Sequence, residues 1–323
     1  MTTTIAILEP AQAVTVKHFG DNLIERFVKF AGVKAESQRT YSKALRQLFA
    51  YLADNSITNP TRENLIDWVD GMKAEKKSAS TIQLYLTATK IFFRWTAQEG
   101  IFANIADHMK SGVKIGHNHK KDALSTGQCA ELIKNVKCIS KVKGQRNELQ
   151  ELRDKAILAV MTTAGLRTVE VVRADAGNLR FERGKTFLYV QGKGHDDADD
   201  KVLISKQTYK AIQAYFKARG NVQATEPLFT STSRRNKGSR LTTQTVSKMV
   251  KANLRAIGLD SPRLTAHSLR HSVATNLIFA GVELPKVQKV LRHSQISTTM
   301  IYANAWERYN NDSEQILADK IFC

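Results

Sequence analysis

Residues 267–302 read HSLRHSVATNLIFAGVELPKVQKVLRHSQISTTMIY, and they carry the strongest signal in the chain. His267 and Arg270 stand three residues apart, on one face of the helix this stretch opens. His271 follows, then His293, and Tyr302 lies nine residues beyond His293. With Arg167 and Lys193 upstream, the chain offers two arginines, two or three histidines, a lysine and a tyrosine. No Asp/Glu cluster with metal-ligand spacing accompanies them. The set suits phosphoryl chemistry without a metal or other cofactor. Two guanidiniums clamp the non-bridging oxygens of a phosphodiester under attack. Histidines add donors that handle protons near neutral pH. A lysine protonates the departing alkoxide. Tyrosine becomes a competent nucleophile where an electropositive site stabilises its phenolate.

Composition agrees with a polyanionic partner. The chain has 323 residues, about two domains by size. Its 49 Lys+Arg against 30 Asp+Glu give a net charge of +19, while 42% hydrophobic residues suffice for real cores. Residues 1–110 hold 14 basic and 11 acidic residues, a net of +3, leaving +16 for the remainder. The later part is therefore expected to grip most of a nucleic-acid backbone. No apolar run approaches a membrane span. The first residues lack the charged and apolar regions of a signal peptide. Cys129, Cys138 and Cys323 form no CxxC pair, which argues against a disulfide scaffold or a cysteine zinc site. A cytoplasmic, nucleoid-associated protein is expected.

Residues 1–20 read as an extension and 21–102 as a four-helix domain. Leu23, Ile24, Phe27 and Phe30 stripe the first helix, and Tyr41, Leu45, Leu48, Phe49 and Leu52 the second. Thr61 caps a third, and Ser78 or Ser80 a fourth that runs through Phe92 and Trp95. Arg39, Lys43, Thr81 and Lys90 are the candidate DNA contacts on its polar faces. Residues 103–123 are polar, basic and weakly periodic, and read as a linker. Its His117 and His119 have no third ligand nearby.

From 124 onward the pattern mixes helices with a small antiparallel sheet. Ser125 caps a helix, and residues 153–163 form an apolar one. The Gly-Leu-Arg step puts Arg167 at a turn, with Glu170 in reach as an ion pair that at the surface is worth little. Residues 179–181, 186–190 and 201–204 read as three strands, with Lys193 in the second loop. Lys237 and Arg240 lie in a basic loop feeding a helix that starts near Thr242; Thr243 and Lys248 complete a second set of candidate DNA contacts.

These motifs together resemble the tyrosine recombinases, the phage-integrase and Xer family. The matching segments are AGLRTVEVV, VQGKG, residues 267–302, and the helical part containing STIQLYLTATKIFFRW. The resemblance spans nearly the whole chain. It implies a C-shaped clamp on duplex DNA, mainly α with a small antiparallel β-sheet: a helical core-binding (SAM-like) domain and a mixed α+β catalytic domain over 124–302. Carried over, Arg167, Lys193, His267, Arg270 and His293 are the site's catalytic groups and Tyr302 its nucleophile, with Glu170 supporting. His271 reads as structural, bonding the backbone or packing beneath the site. The implied reaction forms a 3′-phosphotyrosyl link and frees a 5′-hydroxyl. Strands then exchange through a four-way junction, without ATP, in a homo-tetramer or a hetero-tetramer with a paralogue. The implied partner is double-stranded DNA with inverted recognition arms, with accessory proteins as further partners of some members.

Two departures stand out. The family usually has Leu-Gly-His before the tyrosine; here it is Leu291-Arg292-His293, so Arg292 is either mildly strained or a DNA contact. His195, Asp196, Asp197, Asp199 and Asp200 follow Gly194 where basic residues are common, which leaves Lys201 as a second candidate general acid. Residues 303–323 read as a C-terminal helix or tail that docks either on its own domain or on a neighbour. The alternatives are a type IB topoisomerase-like enzyme and a non-catalytic DNA-binding regulator. About 20 residues before the first helix leave no room for an arm-binding domain. The 66 positions from Lys201 to His267 likewise leave none for the large insertion of integron integrases.

Overall fold

Apolar stripes at helical spacing dominate the first hundred residues, and each becomes a helix with one buried face. A computed structural model describes residues 12–32, 35–114, 122–136, 147–192, 197–309 and 311–322. The chain divides into two compact units, 1–116 and 117–323. Helices α1 (Gln12–Phe30), α2 (Ala35–Asp54), α3 (Arg62–Ala74) and α4 (Ala79–Gln98) make the first. Helix α1 begins inside the stretch expected to be an extension and is nine residues longer than its apolar stripe suggested. Thr61 caps α3: its backbone N–H donates to Asn64 Oδ1 at 2.9 Å, and its hydroxyl accepts from the Asn64 amide at 3.4 Å. Ser78 caps α4, accepting from the Thr81 amide at 3.2 Å.

The core of this unit is aromatic. Phe92 is fully buried, with ring centroids 5.5 Å from Phe27, 5.7 Å from Phe49, 5.4 Å from Phe93 and 5.9 Å from Trp95. Most of these pairs are edge-to-face, the arrangement ring quadrupoles favour. The expected linker starts later than its composition suggested. Ala106 and Met109 are buried in the same core. Arg62 donates to the Asp107 carbonyl at 2.9 Å and Gln83 to the Val113 carbonyl at 3.2 Å. Two buried apolar side chains and two hydrogen bonds pin this polar segment. His117 and His119 lie outside the described residues.

The second unit is built around α6 (Glu148–Thr163), whose residues 156–161 are all buried. A helix apolar on every side belongs in the middle of a fold. Helices α5 (Thr126–Lys134) and α8 (Lys206–Arg219) pack against it, and α7 (Thr168–Arg173) and a sheet add residues to the same core. The sheet is antiparallel in the order β1 (Leu179–Glu182), β2 (Lys185–Val190), β3 (Asp200–Ile204). Its register sets Leu179 opposite Leu188, and Leu188 opposite Val202. Alternate residues Leu188, Val190, Val202 and Ile204 face the core. Helices α9 (Thr243–Ala256), α10 (Ala266–Phe279), α11 (Leu284–Leu291), α12 (Ser297–Tyr309) and α13 (Ser313–Phe322) complete the unit. The fold is thus mainly helical with one small sheet. The expected catalytic boundary at 302 falls inside α12, so the tail is the second part of that helix plus α13. No described helix is long and apolar enough to cross a membrane.

Truncating the central ring of the first core, Phe92→Ala, is expected to cost about 3–5 kcal/mol, because the surrounding rings cannot close the cavity. Urea unfolding of the full chain followed by tryptophan fluorescence measures it.

Candidate active site

The site begins where α6 stops. Ala164 caps α6, and Gly165 turns the chain with φ +62°. A Cβ on Gly165 would lie 3.0 Å from Leu291 Cδ2, so both the turn and the close approach of α11 require glycine. The turn aims the Gly165 carbonyl at Arg270, whose Nη1 donates to it at 2.6 Å. Arg270 Nη2 donates to the Leu291 carbonyl at the other side. Arg270 is 2% exposed, and burial first, then Arg167 and Arg292, pull its pKa down to about 9. It stays charged at neutral pH.

Arg167 opens α7, and Glu170 stands in its first turn. Sequence reading weighed this pair as a surface ion pair. The structure corrects that: Glu170 has no exposed surface. Its Oε1 accepts from Arg167 Nη1 at 2.6 Å, and its Oε2 from the Arg167 amide at 2.8 Å and Arg292 Nη2 at 2.7 Å. Burial works against ionisation, yet Arg292, the Arg167 amide, Arg270 and Arg167 together hold the carboxyl below its ordinary range.

His293 follows Arg292 and is half-buried. Its Nδ1 pairs with the hydroxyl of fully buried Thr299 at 2.9 Å. Burial, then Arg270, Arg167, Arg292 and His267, push its pKa down to about 4, so the ring is neutral at pH 7. His267 is exposed, and its ring meets that of His271 edge-on at 4.5 Å. His271 does more than pack. Its Nδ1 is hydrogen-bonded to the Tyr302 hydroxyl. Tyr302 is 6% exposed and sits among Val273, Val287 and Leu291. Burial pushes its pKa up to about 12, against the pull of Arg270.

The structure therefore brings Arg167, Glu170, Arg270, His293 and Tyr302 into one electrostatically coupled cluster, with His267 and His271 beside it. Lys193, His195 and Asp196 lie outside the described residues. Lys201 is engaged elsewhere: its Nζ bonds Glu182 at 2.8 Å and lies 5.1 Å from the centre of the Phe187 ring. The bond to Glu182 raises its pKa, which makes it a weaker acid. Among the described residues no group of three His, Cys, Asp or Glu is arranged to hold a metal ion.

The candidate DNA contacts divide. Arg39 and Lys43 are exposed one turn apart on α2, and Thr81 and Lys90 are half-buried on α4. Lys237, Thr243 and Lys248 are exposed. Arg240 is occupied within the fold. It donates to the Val172 and Arg173 carbonyls at 2.9 Å each and pairs with Asp175 at 2.5 Å, closing the C-terminus of α7. Sequence reading missed Thr299; a buried threonine six residues after a histidine gives no distinctive signal.

Comparison with known proteins agrees with this geometry. Residues 128–308 match the phage integrase family, and residues 24–100 match the phage integrase N-terminal SAM-like domain. The chain is 27% identical over 235 residues to a tyrosine recombinase of Synechococcus elongatus, covering 69% of this chain and 70% of that one. It is 26% identical over 255 residues to the tyrosine recombinase XerD of Listeria monocytogenes, covering 75% and 80%. Among solved structures it resembles the XerH site-specific recombinase bound to palindromic difH substrate in a post-cleavage complex. That match has a TM-score of 0.67 at 20% identity, covering 87% of this chain and 78% of the other. A lambda integrase (75–356) dimer bound to a COC′ core site matches with a TM-score of 0.64 at 17% identity, covering 86% and 96%. The chain belongs to the phage integrase family: it is a tyrosine recombinase, an enzyme of DNA strand breakage and rejoining.

The lowered pKa of His293 has a stability consequence. Between the ordinary histidine value near 6.5 and about 4, the unfolded chain binds a proton that the folded chain refuses. Stability is expected to be lost as pH falls through that window. His293→Gln should flatten this part of a melting-temperature profile; an unchanged profile would contradict the assignment.

Proposed function

We propose that Tyr302 is the nucleophile of a site-specific recombination reaction on double-stranded DNA. The single observation that carries this is the convergence of a neutral histidine and a buried tyrosine on Arg270, with Arg167 beside them. Tyr302 Oη attacks the scissile phosphorus. The P–O5′ bond breaks, a 3′-phosphotyrosyl ester forms, and the 5′-oxygen leaves with a proton. The ester stores the bond energy, so a second 5′-hydroxyl reverses the step and rejoins strands without ATP. Arg167 and Arg270 bind the non-bridging oxygens through their planar guanidiniums, and Arg270, 2% exposed in the free protein, is uncovered as the phosphate enters. His293, neutral and held by Thr299, offers its other ring nitrogen to the phosphate. His267 adds a donor from the exposed side. Lys193 is the general acid of this reading, since Lys201 is committed to Glu182.

In the free protein the nucleophile is withheld. A hydroxyl on a side chain that is 6% exposed cannot meet a phosphate, so Tyr302 must leave His271 before attack. Helix α13 supplies a second reason to expect rearrangement on assembly. None of its residues is buried, and Ile316, Leu317, Ile321 and Phe322 are all more than half exposed. Docking of this face on a neighbouring protomer, in a tetramer on paired DNA sites, accounts for it. Inverted recognition arms follow from such symmetry. The +16 of residues 111–323, with the exposed Lys237, Thr243 and Lys248, grips the backbone, and Arg39, Lys43, Thr81 and Lys90 extend that grip from the first unit. Such a protein acts in the cytoplasm, on the nucleoid.

The test uses DNA flanking the gene. Footprinting should reveal two inverted arms around a short spacer, and the protected site is then built into a nicked suicide duplex. Wild-type protein should form a covalent adduct. Tyr302→Phe should form none while binding the same DNA. Arg270→Ala should cleave about 10²–10³-fold more slowly, the usual loss for one preorganised oxyanion donor. Adduct formation by Tyr302→Phe, or relaxation of supercoiled plasmids that lack the site, would count against this reading.

A further inference from the structure

Arg292 is the residue that departs from the family's usual Leu-Gly-His, and its placement is unusual in three respects. It ends α11 with φ 54° and ψ 48°, a left-handed conformation that a residue with a Cβ adopts under strain. Its side chain nevertheless turns inward and is only 7% exposed. Its Nη1 closes on the Val290 carbonyl at 2.8 Å, its Nη2 on Glu170 Oε2 at 2.7 Å, and its buried Nε has no hydrogen-bond partner among the described residues. Strain and an unpaired buried donor are both unfavourable. The contact that accompanies them is the one to Glu170.

We propose that Arg292 is a positioning residue of the active site, which acts through Glu170 to hold Arg167 and to free the charge of Arg167 and Arg270 for phosphate. This rests on the recombinase reading. Without Arg292, Glu170 would face Arg167 and Arg270 as its nearest cations. A buried carboxylate then draws both guanidiniums toward itself and cancels part of the field meant for the scissile phosphate. Arg292 takes one oxygen, Oε2, together with the Arg167 amide. Among the described residues Oε1 is left for Arg167 Nη1, which fixes the side chain by one bond there and leaves its other guanidinium donors for phosphate. Because Arg292 precedes His293, the same turn that seats the guanidinium also orients the histidine. One left-handed residue thus locks Glu170, Arg167 and the start of the His293 loop together.

Arg292→Gly tests this cleanly, since glycine accepts the left-handed turn and removes only the side chain. At saturating suicide duplex its single-turnover cleavage should slow by about 10–100-fold, the scale of a small misplacement of a catalytic group. DNA affinity should stay within about twofold of wild type, because no phosphate contact is lost. Arg292→Lys, which keeps the charge, should recover part of the rate. In a Glu170→Gln background, Arg292→Gly should add less than about threefold, since both act along one route. Melting curves for each variant confirm folding, and Arg292→Lys carries the test should Arg292→Gly not fold. Wild-type cleavage by Arg292→Gly would overturn the proposal. So would a loss of affinity with an unchanged rate, which would make Arg292 a DNA contact, or an undiminished effect in Glu170→Gln. If wild-type protein forms no adduct, the recombinase reading itself fails instead.

Discussion

Glu170 holds a negative charge at a point with no solvent exposure, and the local structure of the second unit is arranged around keeping it charged. Removing a carboxylate from water costs several kcal/mol, and an unpaired one would simply take up a proton. Here the Arg167 amide and two guanidiniums supply the missing solvation. Each partner is fixed by its own element: Arg167 by the start of α7, Arg292 by the end of α11. Arg270 on α10 does not touch the carboxylate, yet it ties the same two neighbourhoods through the Gly165 and Leu291 carbonyls. Three segments distant in sequence are thereby referenced to one buried ion. Three like charges in one place would otherwise repel, and Arg167 and Arg292 do lower the pKa of Arg270. One carboxylate offsets part of that repulsion. The surplus that remains is positive and preorganised, which is the condition a pentacoordinate phosphorus needs.

The same field sets the histidine and the tyrosine in opposite ways. A cationic environment disfavours a second cation, so His293 is neutral and serves as a hydrogen-bonding group rather than a charge. It favours an anion, so Arg270 works to lower the pKa of Tyr302, and only burial outweighs it. Moving the phenol out of its apolar seat among Val273, Val287 and Leu291 removes the opposing contribution. If Tyr302 is the nucleophile proposed above, its exposure to the phosphate and its activation are one event.

Much of this was legible in the sequence, and the rest was not for identifiable reasons. Local signals transferred well: Thr61, Ser78 and Ser125 cap the helices their positions suggest, and the three strands fall within a residue or so of their β-branched runs. The spacing of His267, Arg270, His293 and Tyr302 pointed to phosphoryl chemistry, and the structure brings Arg270, His293 and Tyr302 together. Tertiary context was invisible. Glu170 is met by Arg292 from the end of α11, 122 residues away, which no local pattern encodes. Segment 103–114 looked like a linker because its composition is polar, yet Ala106 and Met109 anchor it. Arg240 looked like a phosphate ligand because it sits in a basic loop, yet three carbonyls and Asp175 stand within its reach. Arg292 was visibly unusual, but sequence could not say whether its side chain turned in or out.

The fate of these arginines separates two uses of positive charge that net charge alone conflates. Lys237 and Lys248 are exposed, and charges of that kind act through counterion release and weaken steeply with salt. Arg270 and Arg292 are dehydrated and fixed by hydrogen bonds, and buried charges are screened far less. Binding and chemistry should therefore respond differently to ionic strength: salt loosens the grip on DNA well before it blunts the field at the scissile phosphate. A chain with the same net charge spread evenly over its surface would have the first property without the second. The second property rests on guanidiniums withdrawn from water beside a carboxylate buried with them.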